Sequence, residues 1–152
     1  MTSPPTTVTS ASFWDRARRW VGLGQVGLAL VGAGVAGYLS WTRFFGLTPV
    51  CVGFGGCDIV NASRFSELLG LPVALWGLAA YVALAVLGIL SLRGVGWADL
   101  LAFGLAVGGW LFSMYLTAVE AFVLQAWCVW CVVSAVTISL ITALSGLRLL
   151  RP

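Results

Sequence analysis

The 152-residue sequence has no histidine and no lysine, and all eight of its basic residues are arginines. Without histidine it lacks the commonest general base near neutral pH and the commonest neutral metal ligand. Charge of either sign is scarce, at 9% of residues. A soluble domain carries about 25% charged residues because its surface faces water, and this chain cannot build such a surface. The net charge of +3 is small and scattered, whereas nucleic-acid binding calls for basic residues clustered on one face. No stretch looks like a nucleotide, haem or flavin site. Chemistry here must come from cysteine, carboxylate, hydroxyl groups or a bound cofactor.

What the chain has instead is apolar length, with 61% hydrophobic residues. Four uncharged runs stand out: Trp20 to Thr42, Leu68 to Leu92, Leu100 to Val119 and Ala121 to Leu147. A hydrocarbon core of about 30 Å needs about 20 helical residues, and each run is long enough. They are continuously apolar rather than alternating, which argues against a β-barrel. Their many glycines suit close helix packing in a bilayer. The expected fold is therefore all-α: an integral membrane bundle of four helices over residues 16–150, after a disordered cytoplasmic tail at 1–15.

Arginine placement gives an orientation. Arg16, Arg18, Arg19, Arg93, Arg148 and Arg151 fall on one side of the spans, and only Arg43 and Arg64 on the other. Cytoplasmic loops are enriched in such residues, so both termini are expected in the cytoplasm. The first run exceeds the roughly 7–15 apolar residues of a signal peptide, so it is read as an uncleaved helix. Trp20, Trp41, Trp97 and Trp127 fall near the ends of spans and read as an aromatic belt.

All four cysteines come as two close pairs, "CVGFGGC" from Cys51 to Cys57 and "CVWC" from Cys128 to Cys131. In this orientation both lie at the oxidising face. The C-x-x-C begins the last span, where helix N–H groups and the dipole favour a thiolate. Buried cysteines are otherwise small hydrophobes, but the spacing and the place favour redox chemistry. For Cys51 and Cys57 the plain alternative is a bracing disulfide. A ring this short gains little from closure, and its glycines suit a mobile shuttle. Zinc ranks low, since the upstream pair is too widely spaced and histidine is absent. Together the pairs describe a relay: an external dithiol reduces Cys51/Cys57, these reduce Cys128/Cys131, and a quinone dissolved in the bilayer collects two electrons.

Beyond the cysteines, Glu120 is an acid at membrane depth and so a functional candidate, with a solvated helix end as the equal alternative. Asp58 reads as a cap of a short helix. Trp76 and Trp130 lie close to the proposed quinone pocket and are candidates to line it, with plain packing as the favoured alternative. Gly104 and Gly108 form a G-x-x-x-G pair, explained equally by packing within the bundle or by dimerisation.

The pattern resembles the vitamin K epoxide reductase family over roughly residues 20–147. "CVGFGGC", "LGLPVALWGLAAY" and "MYLTAVEAFVLQAWCVWC" carry the resemblance, with the C-x-x-C opening the last helix. The resemblance implies that Cys51 is the shuttle cysteine met by an extracytoplasmic thioredoxin-like partner, and that Cys57 passes reducing equivalents to Cys128. It implies that Cys131 lies nearest the quinone ring (menaquinone or ubiquinone), and that Ser63 lies near the cysteines and the quinone. It also implies a short helix over about residues 58–68, flat across the bundle mouth, with Ile59, Val60, Phe65, Leu68 and Leu69 on its apolar side. The tyrosine that animal members carry after the C-x-x-C is replaced by Ala135, and their asparagine near the start of span two is not evident. Both departures favour quinone over epoxide reduction. Many bacterial members carry a fused thioredoxin-like domain, so here the partner is expected to be a separate protein. The reading is a membrane thiol:quinone oxidoreductase supporting disulfide formation. Its rivals are an epoxide reductase proper and a non-catalytic membrane protein with structural cysteines.

Overall fold

A computed structural model describes residues 8–53 and 55–150, with side chains from residue 11 onward. The chain runs through α1 (Val8–Phe44), α2 (Cys57–Ala62), a 3-10 turn (Arg64–Ser66), β1 (Glu67–Leu68), β2 (Leu71–Pro72), α3 (Val73–Leu92), α4 (Gly96–Ala118), a π-helical stretch (Val119–Leu124) and α5 (Val129–Leu150). Four helices are long and apolar enough to cross a membrane: α1, α3, α4 with its π-helical extension, and α5. The expected architecture is therefore present.

The four long helices form a ring in which α1 packs on α3 and α5, and α4 packs on the same two. The middle of the bundle is made mostly of alanine (Ala29, Ala36, Ala85, Ala102, Ala106) around Tyr81, Leu84, Ile138 and Ile141. Small side chains let helix backbones approach closely, which drives association where lipid removes the hydrophobic incentive. Larger apolar groups such as Leu30, Val82, Leu111, Phe122 and Val136 point outward, as a lipid environment allows.

One end of the bundle is tied by a buried polar cluster. Arg148 of α5 lies with its Nε 3.5 Å from Asp99 of α4, and Arg18 of α1 pairs with Asp99 at 3.0 Å. Ser91 of α3 donates to Asp99 and accepts from Arg148, while Gln25 of α1 accepts from Arg148 at 3.5 Å. Asp99 and Arg148 are both buried. Every long helix contributes a member, so the cluster fixes the helices in one relative register.

Several boundaries differ from those read in the sequence. The first helix begins at Val8, so residues 8–15 are helical rather than a tail, and residues 1–7 lie outside the described residues. No proline lies between Pro5 and Pro49, so none interrupts α1, and the rings of Phe13 and Trp14 pack edge to face at 5.6 Å. The last span starts at Val129 instead of Ala121, because residues 119–124 prolong α4 past Glu120. A charged residue had marked a span end, but Glu120 is buried within the span.

The short helix in the first loop is present but stops at Ala62. Ser63 is extended, and its hydroxyl donates to the carbonyl of Val60 at 2.8 Å. The Ser66 hydroxyl donates to Asn61 and Ser63 carbonyls. Serines that bond nearby backbone compete with helix continuation. Leu69 and Gly70 then take positive φ (58° and 79°) and turn β1 back on β2, as a two-residue hairpin requires. The break changes the facing of side chains: Val60 and Phe65 turn inward, while Ile59, Leu68 and Leu69 are exposed. Asp58 does not cap this helix. Gly56 holds the cap position with no side-chain bond, and Asp58 sits in the first turn, where an acid still favours the dipole.

Gly104 and Gly108 face open space, so nothing in this bundle demands glycine there.

Candidate active site

Both cysteine pairs lie at the end of the bundle opposite the Asp99–Arg148 cluster, one in the connection α1–α3 and the other at the start of α5. Cys51 and Cys57 are joined by a disulfide, with Cα atoms 5.9 Å apart. The bond is asymmetric in its surroundings. Cys51 is partly exposed between exposed Val50 and Val52, whereas Cys57 opens α2 at 0% exposure. Cys57 and Val60 share one face of α2 by their spacing, and Val60 lines the cavity described below.

Two contacts seat this loop on the bundle. Trp130 of α5 donates its indole N–H to the Val50 carbonyl at 2.8 Å, and Val50 N–H donates to the Tyr38 hydroxyl at 3.0 Å. The Tyr38 and Trp130 rings pack at 5.1 Å. On the other side, Gly56 lies so close to the segment before α5 that a Cβ there would sit 2.7 Å from Trp127 N. The residues immediately preceding Cys57 and Cys128 are thus in backbone contact. That closeness requires glycine.

Cys128 and Cys131 are free thiols, Cys128 buried and Cys131 partly so. Cys128 takes the position just before α5, its carbonyl accepting the Val132 N–H at 3.0 Å. Its own N–H is one of the donors a helix start leaves without an internal partner. Glu120 supplies the partner: its Oε2 accepts the Cys128 N–H at 3.2 Å. The carboxyl reaches that place because the π-helical stretch and left-handed Gln125 (φ 48°) turn the chain sharply before α5. Glu120 is 3% exposed, and the Cys131 thiol is within hydrogen-bonding reach of the same carboxyl group.

The thiols are not equivalent. Hydrogen bonding from the Cys131 side chain pulls the Cys128 thiol below the ordinary range, against the opposing effects of burial and the Glu120 charge. Backbone N–H groups of Cys131 and Trp130 pull the same way. Cys128 is therefore the more acidic thiol of the pair, and a thiolate is the form that attacks a disulfide.

Behind the thiols lies a cavity of about 230 Å³ between all four long helices and the first loop, lined by Cys128, Cys131 and Glu120. Ser63 and Trp76 line it too. Its wall is mainly apolar, with a few hydroxyls and the one carboxyl. That is the character of a small-molecule site, and it suits a flat ring dissolved in lipid. Trp76 also donates to the Leu68 carbonyl at 3.2 Å, holding the hairpin over the bundle. Trp130, expected here, does not line the cavity, because its indole is turned to the loop at Val50.

Sequence reasoning missed Tyr81. It lines the cavity, and its hydroxyl is 2.9 Å from both the carbonyl and the hydroxyl oxygen of Ser134. Gly32 of α1, by its missing side chain, leaves room for the Tyr81 ring. Two residues so far apart in sequence gave no hint of meeting.

A model of the vitamin K epoxide reductase family matches residues 10–145. The chain belongs to that family, and it is a membrane redox enzyme of that kind.

Proposed function

We propose that the enzyme is a thiol:quinone oxidoreductase that oxidises a thioredoxin-like protein at the outer face and passes two electrons to a membrane quinone. The observation that carries this reading is the seating of one cysteine pair beside the other: Gly56 against Trp127, with buried Cys57 and Cys128 following each. Cys51, the accessible end of the bridge, is the atom the partner's thiolate attacks. The released Cys57 thiolate reduces a Cys128–Cys131 bridge by attack at Cys128, through a mixed disulfide. Cys131, one turn into α5 and facing the cavity, then stands between the sulfurs and the quinone, menaquinone or ubiquinone.

The arginines clustered at the opposite end support an orientation with both termini in the cytoplasm. The net reaction oxidises two thiols and reduces one quinone to quinol, with two electrons and two protons transferred. Its product outside the cell is a disulfide in the partner, available for exported proteins.

The test is quinone reduction by a dithiol in proteoliposomes. Cys128→Ala and Cys131→Ala abolish turnover, and Cys131→Ala traps a Cys57–Cys128 bridge detectable by mass mapping. Unchanged turnover in either variant rejects the mechanism.

A further inference from the structure

We propose that Glu120 is the proton carrier of the quinone half-reaction, taking the proton of the Cys131 thiol and handing it to a ring oxygen of the quinone. This role rests on the function proposed above. Three geometric observations converge on it. Glu120 is 3% exposed, so its carboxyl has no free exchange with water. It lies near enough to interact with the Cys131 thiol and holds the Cys128 N–H at 3.2 Å. It also lines the cavity itself, so the same oxygens face a ring bound there.

No other acid is placed for the task. Of the chain's five acids, Asp15, Asp58, Glu67, Asp99 and Glu120, only Glu120 lines the cavity. The remaining polar groups on its wall are hydroxyls and an amide, such as Ser113, Thr117 and Asn61, which are poor acceptors for a thiol proton. A buried carboxylate has a high cost unless it serves a partner. The π-helical stretch, a local irregularity found often at functional sites, is what sets this one beside the Cys128 N–H and the Cys131 thiol.

The step balances as follows. The Cys131 S–H bond breaks and a Glu120 O–H bond forms. An S–S bond forms between Cys131 and Cys128, and the electron pair released passes to the quinone. One ring oxygen takes the proton from Glu120. The other takes the equivalent of the proton already lost by Cys128, supplied through water at the outer face. The quinone leaves as quinol, and Glu120 returns to the carboxylate.

Glu120→Gln keeps a carbonyl to accept the Cys128 N–H but carries no proton, so the helix start stays capped. With a short-chain soluble quinone as probe, kcat is expected to fall by about 100-fold, the lower range for loss of a general acid–base. KM for the quinone stays near wild type, since binding is not the step removed. Glu120→Asp recovers part of the rate, and formate partly rescues Glu120→Ala. Disulfide exchange into Cys128–Cys131, followed by mass in the absence of quinone, slows far less than quinone reduction. A Glu120→Gln protein within about threefold of the wild-type kcat overturns the role, because loss of a general acid–base has a much larger effect. Equal slowing of exchange and quinone reduction also overturns it and leaves Glu120 as a brace. A wild-type protein that exchanges disulfides yet reduces no quinone overturns the proposed function and this role together.

Discussion

Trp130 Nε1 bonds the carbonyl of Val50 at 2.8 Å across 80 positions of sequence, joining the residue before one cysteine of the loop pair to the residue before one cysteine of the helix pair. The contact sets where the Cys51–Cys57 bridge rests. Trp130→Phe retains a ring against Tyr38 and loses only the N–H. A net hydrogen bond is worth about 1 kcal/mol, or roughly fivefold in the population of the seated loop. Transfer from the loop pair to Cys128 is expected to slow by that factor, and more in Trp130→Ala. Stopped-flow quenching with acid and mapping of the Cys57–Cys128 species measures it.

Neighbouring glycines separate space from sequence. Gly56→Ala places a methyl group 2.7 Å from Trp127 N, whereas Gly55→Ala meets nothing within 4 Å. Overpacking of this kind costs about 1–3 kcal/mol. The loop lifts in Gly56→Ala, and dithiol-driven turnover drops by about tenfold, one such increment in free energy. Gly55→Ala keeps normal turnover. Equal effects at both positions would count against a seated loop.

The reactivity of Cys128 carries a pH signature. Its thiol is lowered chiefly by the Cys131 side chain, so in a Cys51→Ser/Cys57→Ser background its alkylation rate rises with pH at a midpoint below that of a free cysteine, about 8.5. Cys131→Ala removes the leading cause and moves the midpoint up. The linkage has the same sign: a lowered folded value adds stability that is complete above the unfolded value and is lost as pH falls through the folded one. Iodoacetamide kinetics across pH 5–10 (a range chosen about the free-thiol value) with both proteins decide the matter.

At the far end, Asp99→Ala leaves the 5%-exposed Arg148 guanidinium without its buried carboxylate. Removing one member of a buried pair costs about 3–5 kcal/mol. Thermal unfolding in detergent should show a marked loss, partly restored in Asp99→Ala/Arg148→Met. The Cys128 alkylation midpoint stays put, since the cluster and the thiols occupy opposite ends.

Hydropathy and length made the four spans legible, because a bilayer asks for little else. The cysteine spacing picked out the two pairs that the fold brings to one end of the bundle, and the resemblance named the family that the match over residues 10–145 shows. Legibility failed where a residue's meaning depended on its neighbours in space. Glu120 looked like the end of a span because acids usually are, yet a π-helical turn buries it against the start of α5, on the Cys128 N–H. Ile59, Leu68 and Leu69 fit an apolar face only while Ser63 was assumed to continue the helix. Trp130 stood beside Cys131 in sequence, but its ring bonds a loop 80 residues away. Asp99, Arg148, Gln25 and Ser91 sit in different helices, so no local pattern announced their cluster.

The bridge between Cys51 and Cys57 has one sulfur at the surface and one sealed beneath it. In the proposed reaction a bulky reductant therefore has a single landing point, and whatever it delivers emerges on the buried side. Traffic through the loop acquires a direction from shielding alone, before any difference in potential is considered. Small dithiols, which slip past such shielding, would lose that discrimination, so turnover driven by them and by a folded protein donor need not rank variants in the same order.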